Sequence, residues 1–552
     1  MAIEYRIIND IEYAMLTRSI REGNRVGKAP RINLGRVIDK KLGIYKNRER
    51  GLFVYDLEKD QYSKVPPDYI EPAIKRKKKI RDREILEIEF GSSFFFNEFV
   101  KKLGYWDILD ALQYKNNDTL RALLTYYCIA PYSNRLAIFW WNHSYARVLF
   151  PNAQMSSQRI SETLEDLGSE EAKRLFFRGY YKKLKGNPGR KRAEAYEMND
   201  GTAGDGILID STGLPNSCSL PVTAVSNHNG QISEEVRLIY VVHQKTGLPL
   251  FFRYIPGNVI DATTIKTTVA ELKANGINTR FAILDAGYYN HKNADILIDA
   301  GISFITRMHS GFSTYESIFT EYRSNLEKEE NLTQYNGRFV YIKCVPCKIG
   351  EKGNHDGYAY LCLDCTMKRE EEYKLAHRSS DVALSNSEIH TLRNKHGIFM
   401  LVSTRKIARD NLLPLYYTRN QVEDVFKLCK GNCKILPINV EKELTLRGHL
   451  LMTFMAAVVM KRLAERLADK NFTIEMLFMA LNEQRAHVYE NEIIVNEPVK
   501  LMSSIYKHYK VKVPTTIPYQ APQGLFEAVN TVGADWLMPD DVNDVDTKNA
   551  GS

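Results

Sequence analysis

Between Gly206 and Met308 the hydrophobic pattern changes period in a fixed order, and that order leaves few folds open. GILIDST, from Gly206 to Thr212, is a short continuous apolar run, which predicts a strand buried on both faces. SEEVRLIYVVHQ and LPLFFRYI predict two further strands joined across KTG. Asp261 is placed to cap the helix DATTIKTTVAELKA, which stops at Asn275-Gly276. TRFAILDAGYY predicts a fourth strand, ADILIDAG a second helix and ISFITRM a fifth strand. The order β-β-β-α-β-α-β requires a mixed sheet with helices packed on it.

The flanks read differently. Residues 1–90 carry short alternating segments broken by Gly and Asp, such as RINLGRVID, and predict a small β-rich unit. That unit ends in a basic run with seven basic residues among the nine from Lys75 to Arg83, including Lys75, Arg76, Lys77, Lys78 and Lys79. Residues 91–195 show helical spacing and a second basic stretch, with nine basic residues between Lys173 and Arg192 and a turn-like end at Arg190, Lys191 and Arg192. A charge run is most often a solvated face; its functional reading is contact with phosphates. The core pattern of 196–308 is interrupted by a β-rich insertion at 309–395 and resumes at 396–440. A helical region at 441–534, suited to dimerisation, and an acidic tail at 535–552, expected to be disordered, complete the chain.

Composition narrows the class. With 44% apolar and 26% charged residues the chain has the balance of a folded soluble protein, and its net charge of +9 permits a polyanionic partner. The longest apolar stretch, Gly448 to Met460, is short for a bilayer and lies between Arg447 and Lys461, so it predicts a buried core helix. Glu4, Arg6 and Asp10 stand where a signal peptide would be apolar, and eight cysteines in 552 residues fit a reducing compartment. The expected location is the cytoplasm, at the nucleoid when bound to DNA.

Two aspartates occupy the most informative positions. Asp210 and Asp285 are expected at the carboxyl ends of adjacent buried strands, where open α/β sheets bind ligands. A lone Asp there is usually a turn or cap residue; two at matching strand ends are harder to assign that way. PLYYTRNQVEDVFKLCKG then carries Tyr416, Arg419, Glu423 and Lys430. On one continuous helix at ~100° per residue these four share a narrow stripe, while Val422, Val425 and Cys429 face another way. Taken alone, the stripe reads as a solvated face with an Arg419–Glu423 pair. Taken with the aspartates, three carboxylates can hold two Mg²⁺ or Mn²⁺ ions in one active site and support phosphoryl transfer, with Arg419 and Lys430 neutralising phosphate charge.

Asp210 in IDSTG, Asp285 in LDAGYY and the segment YYTRNQVEDVFKLCK together resemble bacterial insertion-sequence transposases of the DDE type, in the cut-and-paste group marked by a Tyr-Arg-Glu-Lys signature. GLPLFFRYIPGN and RGHLLMTFMAA look like segments of the same group, and the resemblance covers about residues 200 to 465. It implies a ribonuclease H-like catalytic core, consistent with the strand order. It also implies metal binding by Asp210, Asp285 and Glu423, and DNA phosphate contacts from Tyr416, Arg419 and Lys430. The helical 91–195 region would bind the element's ends, the insertion would hold the cleaved end, and a homodimer would pair two ends on double-stranded DNA. The group commonly forms a DNA hairpin whose unstacked base rests on a Trp in the insertion. Here the sequence departs, because its four Trp are at 106, 140, 141 and 536; an exposed Tyr or Phe of the insertion would have to substitute.

Two alternatives accompany this reading: a transposase-derived repressor without catalysis, and a metal-dependent nuclease that does not join DNA. Separately, Cys344, Cys347, Cys362 and Cys365 have the spacing of a structural zinc site. Both pairs lie in alternating strand patterns, where cysteines three apart point to opposite faces, so reduced cysteines in a β-hairpin are the favoured reading.

Overall fold

The computed structural model of the chain describes all residues except 9–10, 23–24, 68, 70–85, 131, 186–205, 217, 219, 229–230, 379–384, 439, 468–471 and 521–552. The basic residues Lys75 to Lys79 and Arg190 to Arg192, and the acidic tail, lie outside the described residues. The chain divides into two compact units, Met1–Arg81 and Asp82–Ser552.

The first unit is an antiparallel meander of six strands, from Ala2–Ile8 to Gln61–Ser63, with an added hairpin of Ser19–Glu22 and Arg25–Lys28. Its alternating residues turn Ala14, Leu16, Leu34, Tyr45, Phe53 and Tyr55 into one small core.

In the second unit the apolar runs form the strands β1 (Ile207–Pro215), β2 (Ala224–His228), β3 (Gln231–His243), β4 (Pro249–Pro256), β5 (Phe281–Leu284) and β6 (Ser303–Met308). The insertion contributes β7 (Leu332–Tyr335), β8 (Arg338–Ile349) and β9 (His355–Asp364), and β10 (Ile398–Ser403) follows it. All ten belong to a single sheet in the order β2-β3-β1-β5-β6-β10-β9-β8-β7, with β4 paired to β3. The insertion therefore extends the central sheet, because β10 inserts between β6 and β9 and pairs antiparallel with both. β1 pairs antiparallel with β3 and parallel with β5, and β5 pairs parallel with β6. This makes the sheet mixed.

Seven helices are described before the sheet, among them α1 (Asn117–Ile129) and α2 (Ser157–Leu167). Ser156 caps α2 by accepting from the Arg159 N–H, and the helix stops at Gly168. Within and after the sheet come α3 (Ile265–Ala274), α4 (His291–Asp299), α5 (Arg409–Tyr417), α6 (Asn420–Asn432) and α7 (Glu443–Leu467). α7 is long and apolar enough to cross a bilayer by length and composition, and 83% of its most apolar window is buried in the protein. It packs against α1, α2, α6 and β4, so its apolar girth is used up in the core. Two glycines set its distance from α2: a Cβ on Gly448 would stand 1.7 Å from the Leu164 carbonyl oxygen, and one on Gly168 would stand 1.9 Å from that of Leu444. Beyond α7 the chain adds helices Ile474–Asn482 and Lys500–His508, and also strands Arg485–Val488, Glu492–Val495 and Thr516–Pro518. These strands form a four-stranded sheet with Leu86–Glu89, a pairing between distant parts of the chain that local pattern does not announce.

Candidate active site

The parallel ladder between β1 and β5 ends at Ile209 opposite Leu284. The next residues on the two strands are Asp210 and Asp285. β5 stops there, but β1 runs on to Pro215 against β3. Asp210 therefore lies inside its strand, at the point where one neighbouring strand ends, and does not terminate β1 as the sequence pattern suggested.

Alternation along β1 sorts its side chains between the two faces of the sheet. Asp210 and Thr212 share a face with Tyr240, the residue opposite Asp210 on β3. α6 covers this face: Phe426 stacks on the Tyr240 ring with centroids 5.4 Å apart, and Val422, Val425 and Cys429 are fully buried. The burial of that helix face turns Arg419, Glu423 and Lys430 toward the carboxyl end of the β1–β5 ladder. The Lys430 ammonium donates to Thr212 Oγ1 at 2.8 Å and to the Gly213 carbonyl at 3.3 Å.

The expected single helix is two helices. α5 ends at Tyr417 and α6 begins at Asn420, with Arg419 at its N-cap position. Pro414 lies inside α5, and short i to i−3 bonds from Arg419, Gln421 and Val422 bridge the break. Across the break Tyr416 stays beside Arg419 and Asp285, whose charges act on its hydroxyl. Its side chain is buried at 4% exposure, and burial raises its hydroxyl to about 12 despite the nearby Arg419. Tyr416 thus stands as a buried wall of the site, where the stripe had placed it on the surface.

Arg419 joins the three carboxylates. Its Nη1 lies 2.6 Å from Asp285 Oδ1 and 3.7 Å from Asp210 Oδ2, and its Nη2 lies 3.3 Å from Glu423 Oε1. Asp210 is the least exposed of the three, at 14% against 41% for Asp285 and 44% for Glu423. Burial pushes the Asp210 carboxyl up to about 7, and the charge of Asp285 adds to the rise. The Ser211 backbone N–H, which donates to Asp210 Oδ1 at 2.8 Å, and Arg419 oppose it. Burial alone would lower the Arg419 guanidinium, but Asp285, Tyr416, Asp210 and Glu423 raise it above its ordinary value.

The donors are hard carboxylate oxygens drawn from two strands and a helix, the type that Mg²⁺ and Mn²⁺ prefer. As placed, however, the three do not close a shell of their own: among the described residues no three His, Cys, Asp or Glu side chains converge on a common metal position. The Arg419 guanidinium stands between them. The donor set fits a metal if that guanidinium moves aside.

The opposite face of β1 holds a cluster the sequence reading missed. Ser211 Oγ donates to Asp261 Oδ1 at 2.8 Å, and Asp261 pairs with Arg237 at 3.1 Å, which in turn approaches Glu235 at 3.6 Å. Asp261 therefore ties α3's lead-in to the sheet and makes no side-chain cap there, since the helical turn at Asp261–Thr264 has none. Glu235 and Arg237, two apart on a predicted strand, were the available signal, because such residues share a face. A cavity of about 290 Å³ lies beside this cluster, with Asn258, Ile260 and Gly287 in its wall.

The four cysteines are not gathered. Cys344 and Cys347 sit on the uninterrupted β8, opposite Tyr360 and Gly357 of β9; Cys362 lies opposite Ile342, and Cys365 starts a helix. Burial raises all four thiols, Cys347 to about 11, which opposes the thiolate form a zinc site needs.

Among curated proteins none matches the chain. Among solved structures, the piggyBac transposase synaptic complex with hairpin DNA aligns at 11% identity and a TM-score of 0.37, over 79% of each chain. A Drosophila P element transposase strand transfer complex aligns at 10% identity and a TM-score of 0.14, over 58% of this chain and 82% of that one. Residues 201–459, the stretch that contains Asp210, Asp285, Arg419, Glu423 and Lys430, match the family described as transposase DDE domain.

Proposed function

We propose that this protein is a DNA transposase that cleaves the ends of its element and joins the freed 3′-hydroxyls to target DNA by divalent-metal-dependent phosphoryl transfer. One observation carries the reading: within the segment that matches the transposase DDE domain, Asp210, Asp285 and Glu423 meet round a single cationic group where the parallel ladder ends. The strand order β4-β3-β1-β5-β6, with β3 antiparallel to β1, supports a ribonuclease H-like core. Bound divalent ions would lower the pKa of the attacking hydroxyl and stabilise the leaving oxygen. Asp210, Asp285 and Glu423 would hold them. Lys430, anchored on Thr212 and Gly213, sets a positive charge beside the path of a DNA strand.

We further read the second-strand step as passing through a DNA hairpin, and Phe339 as the residue on which an unstacked base rests. Among the insertion's described aromatics Phe339 and Tyr373 are exposed, at 55% and 66%, but the Tyr373 ring already packs on His377 with centroids 4.1 Å apart, while Tyr315 and Tyr360 are buried and Tyr335 is stacked on Tyr417. Phe339 follows the turn at Asn336-Gly337, and Arg338 beside it lies over both the Tyr335 and Tyr417 rings. An exposed ring on a strand beside a tight turn suits a stacking platform.

The test uses the element's own ends, found as imperfect inverted repeats flanking the gene. Asp210→Ala, Asp285→Ala and Glu423→Ala are each expected to abolish cleavage and joining while leaving binding of end DNA within about twofold, because phosphoryl transfer rests on the metal-borne electrostatic term. Wild-type turnover by any one of them removes the assignment. Cleavage by the native protein without joining would favour the nuclease, and no reaction at all the repressor.

A further inference from the structure

A guanidinium paired with three carboxylates at once is doing the work of a counter-ion. Arg419 lies at 2.6, 3.3 and 3.7 Å from Asp285, Glu423 and Asp210, and only 20% of its side chain is exposed. Its Nε is buried with no hydrogen-bond partner in the structure, so the group is held by charge more than by a full set of bonds. It is also the residue at the break between α5 and α6.

The oxygens that Arg419 pairs with are the ones a divalent ion would need. A guanidinium and a divalent cation repel each other and compete for the same lone pairs, so they cannot share that position. Metal entry therefore requires Arg419 to leave, and leaving strips a buried cation of its partners. A DNA phosphate in the cleft is an anion of the right geometry to receive it, since guanidinium pairs bidentately with phosphate as it does with carboxylate.

We propose that Arg419 is a resident counter-ion of the acidic triad that divalent metal must displace, and that its transfer to a DNA phosphate couples metal binding to DNA binding. The inference rests on the triad being a metal site. It assigns Arg419 a positioning role: in the free protein it keeps the carboxylates together and the metal out, and with DNA present it yields the site. Because coupling is reciprocal, DNA would tighten metal binding and metal would tighten DNA binding. The free protein would then hold its metals weakly and become loaded on the substrate.

The experiment measures Mn²⁺ binding to the full chain by titration calorimetry, without DNA and with a short duplex of arbitrary sequence. Arg419→Gln, which removes the competing charge, is expected to bind Mn²⁺ roughly tenfold more tightly than the native protein without DNA, a factor within the usual span of site-to-site coupling. A residue with a merely structural role would weaken metal binding when replaced, so a gain is diagnostic. Adding the duplex should tighten Mn²⁺ binding in the native protein and change it much less in Arg419→Gln. Equal or weaker Mn²⁺ binding by Arg419→Gln, with binding still lost in Asp285→Asn, overturns the coupling and leaves the metal site standing. Mn²⁺ binding that ignores Asp285→Asn, or none in either protein, overturns the metal site and this inference together. If circular dichroism shows Arg419→Gln unfolded, Arg419→Lys replaces it. The shorter side chain with a point charge should give an intermediate affinity, and native affinity there refutes the proposal.

Discussion

Replacing Gly448 with Ala adds one methyl group where two helix backbones touch. The new Cβ would lie 1.7 Å from the Leu164 carbonyl oxygen, with the Leu164 carbonyl carbon at 2.6 Å and its Cα at 3.0 Å. Comfortable contact needs ~3.5 Å, so α7 and α2 must separate by more than ~1 Å or tilt. The obstructing atoms are backbone, and no rotamer change relieves them. Forced overpacking of this kind costs ~1–3 kcal/mol and sometimes more, while Ala inside a helix returns up to ~1 kcal/mol over Gly. The expected net loss is ~1–2 kcal/mol. Gly168→Ala should behave alike, since its Cβ meets the Leu444 carbonyl oxygen at 1.9 Å on the same crossing. The assay is urea unfolding followed by circular dichroism, comparing midpoints at unchanged slope. Because α7 also packs on α6, which carries Glu423, cleavage activity should fall along with stability. A loss below ~0.5 kcal/mol for both variants would show that the helices part freely and that the close crossing does not hold the helical region on the core.

Other consequences can be measured separately. Burial lowers the Lys434 ammonium to about 6, even though the Tyr126 ring, 3.0 Å from Nζ, favours its charged form. A lowered value means the unfolded chain binds the proton more tightly, so this residue's contribution to stability is complete above ~10.4 and is lost as pH falls toward 6. Lys434→Met should therefore raise stability at pH 7 by ~1–3 kcal/mol and flatten the rise in melting temperature between pH 6 and 9; an unchanged slope contradicts it. Phe339→Ala should leave the first nick intact and reduce hairpin yield by roughly 5- to 150-fold, matching ~1–3 kcal/mol of lost stacking, as read on a denaturing gel of end-labelled DNA. An unchanged hairpin band would place the base elsewhere.

What the sequence discloses follows from the range of the interactions. The apolar runs at 207–209 and 281–284 are legible because strands covered on both faces must be continuously apolar, and the position of Asp210 and Asp285 follows from where those runs stop. The face of α6 that packs on Tyr240 is legible from the spacing of Val422, Val425 and Cys429. Hidden from such reasoning are the break at Thr418–Arg419 and the burial of Tyr416, which shares a helix face with the buried Leu412 and Leu413. The Glu235–Arg237–Asp261 cluster needs the register of β3 on β1 and the return of the chain after β4, neither of which a local window contains. The same holds for the junction of Leu86–Glu89 with Arg485–Val488, and for β10 inserting between β6 and β9.

Strand transfer tests the account most directly. A pre-nicked duplex carrying the element's terminal repeat and a free 3′-hydroxyl is incubated with the protein, Mg²⁺ and a supercoiled target plasmid, beside Asp285→Ala. The account predicts covalent joining of the labelled 3′ end to the plasmid by the native protein, dependent on Mg²⁺, and none by Asp285→Ala. End binding by the native protein without any joined product, or equal joining by Asp285→Ala, would contradict the claim that Asp210, Asp285 and Glu423 form a phosphoryl-transfer centre.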